Sequence, residues 1–470
     1  MQEKSDLNRK VIIFIVSLAG FMEALDTTIL NTAIPAISRS LHVNPVDLKI
    51  ALISYLMMLA IFIPVSGWLA DKFGLKRVFQ FATVVFTLSS LWCGFAYTVP
   101  QLVLARSVQG LGGALMLPLG RLIILRSFPR HEVVDVINHV IMVVSVGLML
   151  GPLAGGVITD HFSWSWIFWV NVPVGIFAFI IGYFFLTDYP PRHVRPFDFI
   201  GFTLFGGGLA TLTFALSYLS ESSTNQHTGL LILFISILML ANYFLYARWQ
   251  PHPILNTSLF KKRTFLISIL GNLFARLSFG GVPFLLPLLL QISLGYSAAL
   301  SGLLMVPIAF GVMIVKVISL RALRKMGYKK TLVGNTILVS LMLWMFQVIT
   351  GATSPYSIAA LTFLFGLLIS MQYSAMNSLA YSDLDADDLS AATSIFGTTQ
   401  QLSQSFGVAV AAMLLHYYSH VFNGGFILTP TVFHHAFLAM GFLTLFTTII
   451  FVRLKPNDGH QMLNKPQEAS

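Results

Sequence analysis

Hydrophobic residues follow one another along this chain in long blocks that are separated by short polar breaks. The first three blocks cover 11–36, 48–70 and 78–97, and each can cross the apolar core of a bilayer, roughly 30 Å thick, as a helix. The pattern continues along the chain and predicts fourteen spans in all. The other eleven are 100–124, 137–159, 166–187, 199–219, 229–247, 264–290, 298–320, 331–350, 355–380, 390–416 and 432–453. The chain is therefore predicted to be an all-α integral membrane protein.

The composition agrees with a membrane protein and excludes several other classes. Of 470 residues, 56% are hydrophobic and only 10% are charged, against roughly 25% charged residues in an average soluble protein. The net charge of +10 does not indicate a nucleic-acid partner, because the basic residues occupy short gaps between apolar blocks. Anionic lipid is their expected neighbour. The single cysteine, Cys93, excludes an intramolecular disulfide and a thiolate metal site, and no cofactor is expected.

The basic residues also predict the orientation of the chain in the membrane. An even number of spans places both termini on one side, and all but six of the 28 Lys and Arg lie in the termini, or in loops, of that side. Arg39 and Lys49 lie in opposite loops, and the other four lie within spans. Because basic residues accumulate in cytoplasmic loops, both termini are predicted to be cytoplasmic.

The break between the second and third spans reads Gly67-Trp-Leu-Ala-Asp-Lys-Phe-Gly-Leu-Lys-Arg77. Gly67 and Gly74 permit a tight turn and close helix contact, while Asp71 can accept bonds from backbone amides or from a nearby cation. The basic members of this loop are Lys72, Lys76 and Arg77. A plain turn does not need a carboxylate, so we favour a conformational latch, meaning a charge-assisted contact present in one state only. A simple structural turn is the alternative.

Two acidic residues lie inside the first predicted span. An ionisable side chain at the centre of a membrane helix costs roughly 2.5–3.5 kcal/mol even on the more permissive scale, so function is the default interpretation of Glu23 and Asp26. They are three positions apart and can share one helix face. Arg106, in the fourth span, is the natural electrostatic partner of Asp26. The alternatives are a permanently satisfied contact for Asp26 and, for Glu23, an aqueous or substrate-binding position.

Small residues recur along one face of the fifth span. Gly147, Gly151 and Gly155 are spaced every four residues, and Gly156 follows directly. This spacing favours close packing against a neighbouring helix. Pro152 is expected to bend the helix, so that two conformations can pack alternately.

Polar residues in the later spans are candidates for substrate binding. Arg276 lies deep in the ninth span and is a candidate for binding an anionic group. Gln372, Asn377 and Gln401 are candidates for the lining of a cavity. Polar bonds between helices explain these three equally well.

Five local sequences, in order along the chain, resemble the motifs of one family. Besides the loop Gly67–Arg77, they are Leu25-Asp-Thr-Thr-Ile-Leu-Asn-Thr-Ala-Ile-Pro35, Arg106-Ser-Val-Gln-Gly-Leu-Gly-Gly113, Gly147-Leu-Met-Leu-Gly-Pro-Leu-Ala-Gly-Gly156 and Trp164-Ser-Trp-Ile-Phe-Trp-Val-Asn-Val-Pro-Val-Gly175. Together they resemble the major facilitator superfamily and, within it, the bacterial fourteen-span drug:proton antiporters. Two positions depart from that family: Glu23 stands where an uncharged residue is expected, and Lys72 replaces the usual Arg.

The resemblance implies a domain plan of two six-helix bundles with two extra central helices. A shorter copy of the loop, Arg324-Lys-Met-Gly-Tyr-Lys-Lys330, follows the tenth span and supports an internal repeat. The copy keeps the glycine of the turn but has lost the carboxylate. The predicted domains are an N-terminal bundle at 1–188, a two-helix insertion at 189–257, and a C-terminal bundle with its tail at 258–470.

The resemblance also implies a function. It predicts a secondary transporter of the bacterial inner membrane that has no catalytic residues. The transporter is expected to export small amphipathic molecules in exchange for protons by alternating access, and to work as a monomer. The resemblance assigns proton coupling to Asp26 and Arg106, gating to the loop Gly67–Arg77, and antiport to the glycine-rich fifth span. Glu23, which departs from the family, is a further candidate for proton coupling because it is an acid on the same helix as Asp26. A specific metabolite or siderophore exporter and a non-transporting sensor are the alternatives. An enzyme is disfavoured, because the sequence shows neither a His/carboxylate helix pair nor a nucleotide-binding loop.

Overall fold

The computed structural model describes residues 2–188, 196–219, 226–251, 253–385 and 388–463. All regular secondary structure in these ranges is helical, which confirms the all-α prediction. Parts of the predicted two-helix insertion and the end of the C-terminal tail lie outside the described residues.

The described residues of the first half of the chain form ten helices. They are α1 (Gln2–Leu41), α2 (Lys49–Phe62), α3 (Ser66–Phe73), α4 (Leu75–Gly94), α5 (Val99–Ser127), α6 (Arg130–His161), α7 (Trp166–Trp169), α8 (Asn171–Phe185), α9 (Phe199–Leu219) and α10 (Gln226–Tyr246). A short 3-10 turn at Ile63–Val65 joins α2 to α3, so that these two helices run as one predicted span.

Seven more helices lie in the described part of the second half. They are α11 (Arg263–Phe279), α12 (Val282–Leu288), α13 (Ala298–Met345), α14 (Pro355–Ala380), α15 (Leu389–Asn423), α16 (Pro430–Val452) and α17 (His460–Leu463). Helix α13 combines two predicted spans, which meet at a kink at Gly327.

Thirteen of the described helical segments are long and apolar enough to cross a membrane. The remaining predicted span corresponds to α4, a helix of 20 residues that is about 30 Å long. It is not among the thirteen. Its first turn carries Lys76 and Arg77, and its interior carries Thr83, Thr87, Ser89 and Ser90. A helix is thus present where the third span was predicted, and its more polar composition sets it apart from the other spans.

The chain divides into two compact units. The first comprises Met1–Phe199 together with Tyr296–Leu303, and the second comprises Ile200–Gly295 and Leu304–Ser470. In the first unit α1 packs mainly on α6, while α2 and α4 both pack on α5. In the second unit α11 packs on α14, α15 and α16. The three-part division at 1–188, 189–257 and 258–470 stays a prediction.

Each unit has its own apolar core. In the first unit, the buried side chains between α1, α4 and α5 include Met22, Phe79, Phe86 and Met116. In the second unit, Phe346 packs edge-on against Phe365 and Phe437 at ring-centroid distances of 5.4 and 5.2 Å. These apolar contacts hold the helices that carry the buried polar side chains.

The repeated loop forms a glycine turn in both copies. Gly74, between α3 and α4, has a φ of 91°, and Gly327, inside α13, has a φ of 72°. Residues other than glycine adopt such positive φ angles only at a cost, so these two positions require glycine. The turn is shorter than predicted, because Gly67 lies inside α3 and only Gly74 breaks the helix. The shared turn supports the internal repeat.

Candidate functional site

A fully buried ion pair joins α1 to α5 in the first unit. Nη1 of Arg106 lies 2.5 Å from Oδ2 of Asp26, and both side chains are 0% exposed. Arg106 occurs early in α5, and Asp26 lies near the middle of α1, which packs on α5 as well as on α6. The structure thus brings together the two residues that the sequence singled out from different spans.

Two amide side chains complete the surroundings of the Asp26 carboxylate. Nε2 of Gln109 donates to Oδ1 of Asp26 at 2.9 Å, and Nδ2 of Asn171, at the start of α8, donates to the same oxygen at 3.2 Å. Gln109 also accepts from Arg106 at 2.6 Å and donates to Ser90 of α4 at 2.6 Å. The carboxylate is therefore bonded to groups on α5 and α8, and through Gln109 it is linked to α4.

The guanidinium of Arg106 is covered on one side by an aromatic ring. Its Cζ lies 4.1 Å from the ring centroid of Tyr55 on α2, a distance at which a cation and an aromatic face attract each other. Nη2 of Arg106 is buried and has no hydrogen-bond partner among the described residues. Because unpaired buried polar groups cost free energy, the site keeps unused bonding capacity that water or a ligand can satisfy.

Glu23 lies one helical turn before Asp26 and is only 6% exposed. Its Oε2 atom is buried without a hydrogen-bond partner in the part of the chain that the structure describes. Asp26 and Arg121 of α5 are the charged groups that interact with it electrostatically. Unlike Asp26, Glu23 is therefore not part of the closed hydrogen-bond network.

Sequence reasoning missed four members of this network, namely Tyr55, Ser90, Gln109 and Asn171. Two of them lie within motifs that had been identified: Gln109 follows Arg106 by three residues, and Asn171 belongs to Trp164–Gly175. The signal that could have identified Gln109 and Asn171 is an amide side chain inside an apolar span. Tyr55 and Ser90 gave none, since hydroxyl-bearing residues are common in membrane helices.

The carboxylate of Asp71 has a basic partner on another helix. Its Oδ1 lies 3.0 Å from Nη2 of Arg126, in the last turn of α5, and both side chains are partly exposed. Lys76 donates instead to the backbone oxygen of Tyr183 on α8 at 2.7 Å, while Arg77 is exposed. No described atom lies within 4 Å of the position of a side-chain carbon at Gly67, so the close contact expected there is absent. The pairing with Arg126 has the chemistry required of a latch.

The glycine face of α6 packs closely against α1, as the spacing predicted. A side-chain carbon at Gly147 would meet the backbone oxygen of Phe21, and one at Gly155 would meet the backbone oxygen of Ile29. A backbone oxygen cannot rotate away as a side chain can, so glycine is required at these contacts. Thr32 of α1 donates to the backbone oxygen of Pro152 at 3.0 Å, which adds a polar bond between the two helices next to the proline.

The other end of the same face meets the start of α13. Gly156 lies against the backbone of Ala298, and Gly151 lies against Thr28 of α1. The carboxylate of Asp160 accepts from the backbone nitrogens of Ala298 and Ala299 at 3.1 and 2.7 Å. The residue Asp160, which follows the glycine-rich face of α6, therefore holds the first turn of α13.

The four residues predicted to bind substrate all lie in the second unit, but the structure gives them different surroundings. Arg276 is buried, with Nε bonded to Asn272 and the guanidinium stacked on Tyr373. Gln372 bonds to Asn335 and Thr336 of α13 at 2.8 and 3.0 Å, which is a polar contact between helices. The remaining two are less buried: Asn377 is exposed and Gln401 is half-buried.

Comparison with known proteins places the whole chain in one family. The sequence profile described as Major Facilitator Superfamily matches residues 16–408. Multidrug resistance protein MdtD of Escherichia coli O8 (strain IAI1) is 36% identical over 452 residues, which cover 96% of this chain and 95% of the relative. The protein of the same name from Escherichia coli O157:H7 (strain EC4115 / EHEC) is 37% identical over 453 residues, with the same shares covered.

Solved structures with the same fold include a peptide transporter and a D-xylose-proton symporter. A peptide transporter POT in complex with sulfate gives a TM-score of 0.70 at 14% identity and covers 96% of each chain. A D-xylose-proton symporter gives a TM-score of 0.67 at 14% identity, with 96% of this chain and 98% of the symporter covered. At such low identity these structures show the fold alone. From the profile, the relatives and the helical architecture together, this chain belongs to the Major Facilitator Superfamily and is a membrane transporter.

Proposed function

We propose that this transporter exports small, amphipathic, drug-like molecules in exchange for protons by alternating access. The proposal includes its place in a bacterial cytoplasmic membrane, with both termini cytoplasmic, and its action as a monomer. The names of the relatives support a drug-type substrate, and the distribution of Lys and Arg supports the orientation.

The observation that carries the proposal is the buried pair of Asp26 and Arg106. A carboxylate at 0% exposure is costly in a membrane helix unless its charge is matched, and here the match depends on bonds from α5 and α8. Protonation of Asp26 removes the charge that these donors stabilise. It therefore weakens the bonds that connect α1 to α5 and α8, so that proton binding and helix packing are coupled.

The second element of the proposal is the energy source. At a membrane potential of about 100 mV, each proton that moves inward supplies about 2.3 kcal/mol. This free energy supports a gradient of roughly fifty-fold for a neutral substrate before any pH difference is added. One proton per cycle at Asp26 is thus sufficient for concentrative export. A single titrating carboxylate would meet this requirement.

Purified transporter in proteoliposomes provides the test. With an acidic lumen, substrate uptake should be accompanied by a rise in lumenal pH, because protons leave as substrate enters. The measurement follows lumenal pH with a trapped dye while a compound library is added, with protein-free liposomes as the control. Uptake that leaves lumenal pH unchanged, and that dissipation of the gradient does not affect, would identify a facilitator.

The pair of Asp71 and Arg126 makes a separate prediction about turnover. Asp71→Asn should slow transport about fivefold while substrate affinity stays the same, because losing a partly exposed ion pair costs at most about 1 kcal/mol. Transport rate and binding affinity should be measured on the same preparation.

A charge reversal supplies the matched control for this prediction. The double variant Asp71→Arg with Arg126→Asp restores an ion pair of opposite polarity and should recover part of the lost turnover. Normal turnover in Asp71→Asn alone would reduce the loop to a simple turn.

A further inference from the structure

Arg276 of α11 is a buried cation that none of the described acidic residues pairs with. It is only 7% exposed, and α11 packs on α14, α15 and α16 in the second unit. No described carboxylate lies within 4.0 Å of its guanidinium, in contrast with Arg106 of the first unit, which has Asp26. Burial of an unpaired charge is costly, so the position calls for a compensating group.

The protein holds this guanidinium in place through two contacts that leave its charge unmatched. Nε donates to Oδ1 of Asn272 at 2.7 Å, and Cζ lies 3.6 Å from the ring centroid of Tyr373 on α14. An aromatic face attracts the planar cation and fixes its orientation, but it brings no formal negative charge. The contacts therefore orient the donor groups of Arg276 without consuming their charge.

The donor groups around Arg276 remain available. None of the described residues accepts a hydrogen bond from its two terminal nitrogens, and Nδ2 of Asn272 is buried without a partner. A guanidinium fork next to an amide N–H matches the geometry of an oxyanion, which can accept several such bonds at once. The unpartnered amide of Asn272 is a second observation that points to a ligand.

A neighbouring polar cluster in the same unit shows what a purely structural arrangement looks like. Gln372 donates to Thr336 and accepts from Asn335, so that its amide is bonded at both ends. That cluster carries no formal charge and needs no additional partner. The arrangement at Arg276 differs in both respects, because it carries a charge and its donors are left over.

We propose that Arg276, Asn272 and Tyr373 form a binding site for an anionic group, and that the molecules this protein exports include amphipathic organic acids. The carboxylate would bind the fork of Arg276 and the amide of Asn272, with the ring of Tyr373 on one side. The inference rests on the proposed function as an exporter and specifies the chemistry of its substrates.

The test measures whether binding depends on ligand charge alone. Purified protein in an uncharged detergent is titrated with matched pairs that differ in one group: dansylglycine and its amide, decanoate and decanamide, and benzoate and benzamide. At least one carboxylate should bind about tenfold or more tightly than its amide, since a hydrogen bond to a charged group is worth that much. If no carboxylate of the three pairs binds more tightly than its amide, the proposal is wrong.

Asn272→Asp is the decisive variant. It replaces the amide by a carboxylate of the same shape beside Nε of Arg276, and so supplies the missing negative charge within the protein. The preference for the carboxylate should fall from about tenfold to about one, while binding of the amides is retained. A solely structural role of Arg276 predicts no change in this ratio. An unchanged ratio in a monodisperse variant would therefore overturn the proposal.

Two further variants keep the test interpretable. Asn457→Asp adds the same carboxylate at an exposed position of the second unit and should leave the ratio unchanged. Arg276→Lys keeps the positive charge without the planar fork, so it should retain a reduced preference for the carboxylate. If Asn272→Asp fails to fold, loss of the preference in Arg276→Gln, but not in Arg276→Lys, would support the site. Equal preference in Arg276→Gln and the unmodified protein would contradict it.

An anionic lipid headgroup offers the same chemistry as a substrate carboxylate. Binding is therefore repeated in nanodiscs of phosphatidylcholine with and without phosphatidylglycerol. If the affinity for the carboxylate is the same in both kinds of nanodisc, the transported molecule is supported as the occupant. If phosphatidylglycerol competes with the carboxylate and Asn272→Asp abolishes this competition, the site belongs to lipid and the substrate proposal is overturned. Because these binding assays need no gradient, they separate the two proposals. Proton-linked transport without a preference for the carboxylate contradicts only the anion site. A preference for the carboxylate without proton-linked transport contradicts only proton coupling.

Discussion

Replacement of Asp26 by Asn is expected to abolish uphill, proton-driven export while substrate binding is retained. The amide keeps the shape of the side chain but cannot exchange a proton, and it no longer balances the charge of Arg106. Concentrative uptake into proteoliposomes with an acidic lumen should fall to the level of protein-free liposomes. Downhill exchange should continue in part, since it does not require a proton to be carried.

Glu23→Gln is the matched control for this variant. Glu23 is an acid on the same helix and is buried to a similar degree, but it is outside the hydrogen-bond network of Asp26. Proton-linked export should therefore persist when it is replaced. If Glu23→Gln alone eliminates coupling and Asp26→Asn still exports uphill, the proton is carried by Glu23. If neither variant alters proton-linked transport, the antiport mechanism itself is contradicted.

Replacement of Arg106 by Ala is expected to stop turnover or to change its pH dependence. Removal of one partner from a buried ion pair costs about 3–5 kcal/mol, because the remaining charge is left without compensation. The bond that joins α1 to α5 at this site would also be lost, so the helix packing that the proposal couples to the proton would be disturbed. The measurement is the transport rate as a function of pH, together with the monodispersity of the variant.

Arg106→Lys separates charge from geometry at the same position. A lysine keeps the positive charge near Asp26, but it lacks the planar guanidinium that stacks on Tyr55 and the fixed directions of its donors to Asp26 and Gln109. Partial turnover in Arg106→Lys and none in Arg106→Ala would show that the charge is the essential feature. A pH profile of Arg106→Ala that matches the unmodified protein would contradict a role in proton coupling.

The two buried arginines illustrate two uses of the same side chain. Arg106 has a carboxylate partner supplied by the protein, and its contacts form a network that a proton can open. Arg276 has an amide and an aromatic ring, which orient it but leave its charge to be matched by a ligand. We therefore propose that residues of the first unit carry the proton-dependent step and that residues of the second recognise an anionic group.

The sequence by itself determined the local features of this protein. Long apolar blocks form helices because a membrane helix satisfies its own backbone bonds, and a positive φ at Gly74 and Gly327 is available chiefly to glycine. Asp26 and Arg106 were recognisable as candidates because charge inside an apolar block is costly wherever the helix packs. Each of these properties depends on neighbours within a few residues along the chain.

Only the tertiary structure decided which groups meet. Asp26 bonds Asn171 from 145 positions away, and Asp71 pairs with Arg126 from 55 positions away. Likewise, the packing of α11 on α14 places Tyr373 beside Arg276, and no carboxylate in the described part of the chain lies within 4.0 Å of it. Helical periodicity specifies which side chains share a face but not which helix that face contacts. The partners of a buried charge, and so its chemistry, therefore depend on helix packing that no local pattern encodes.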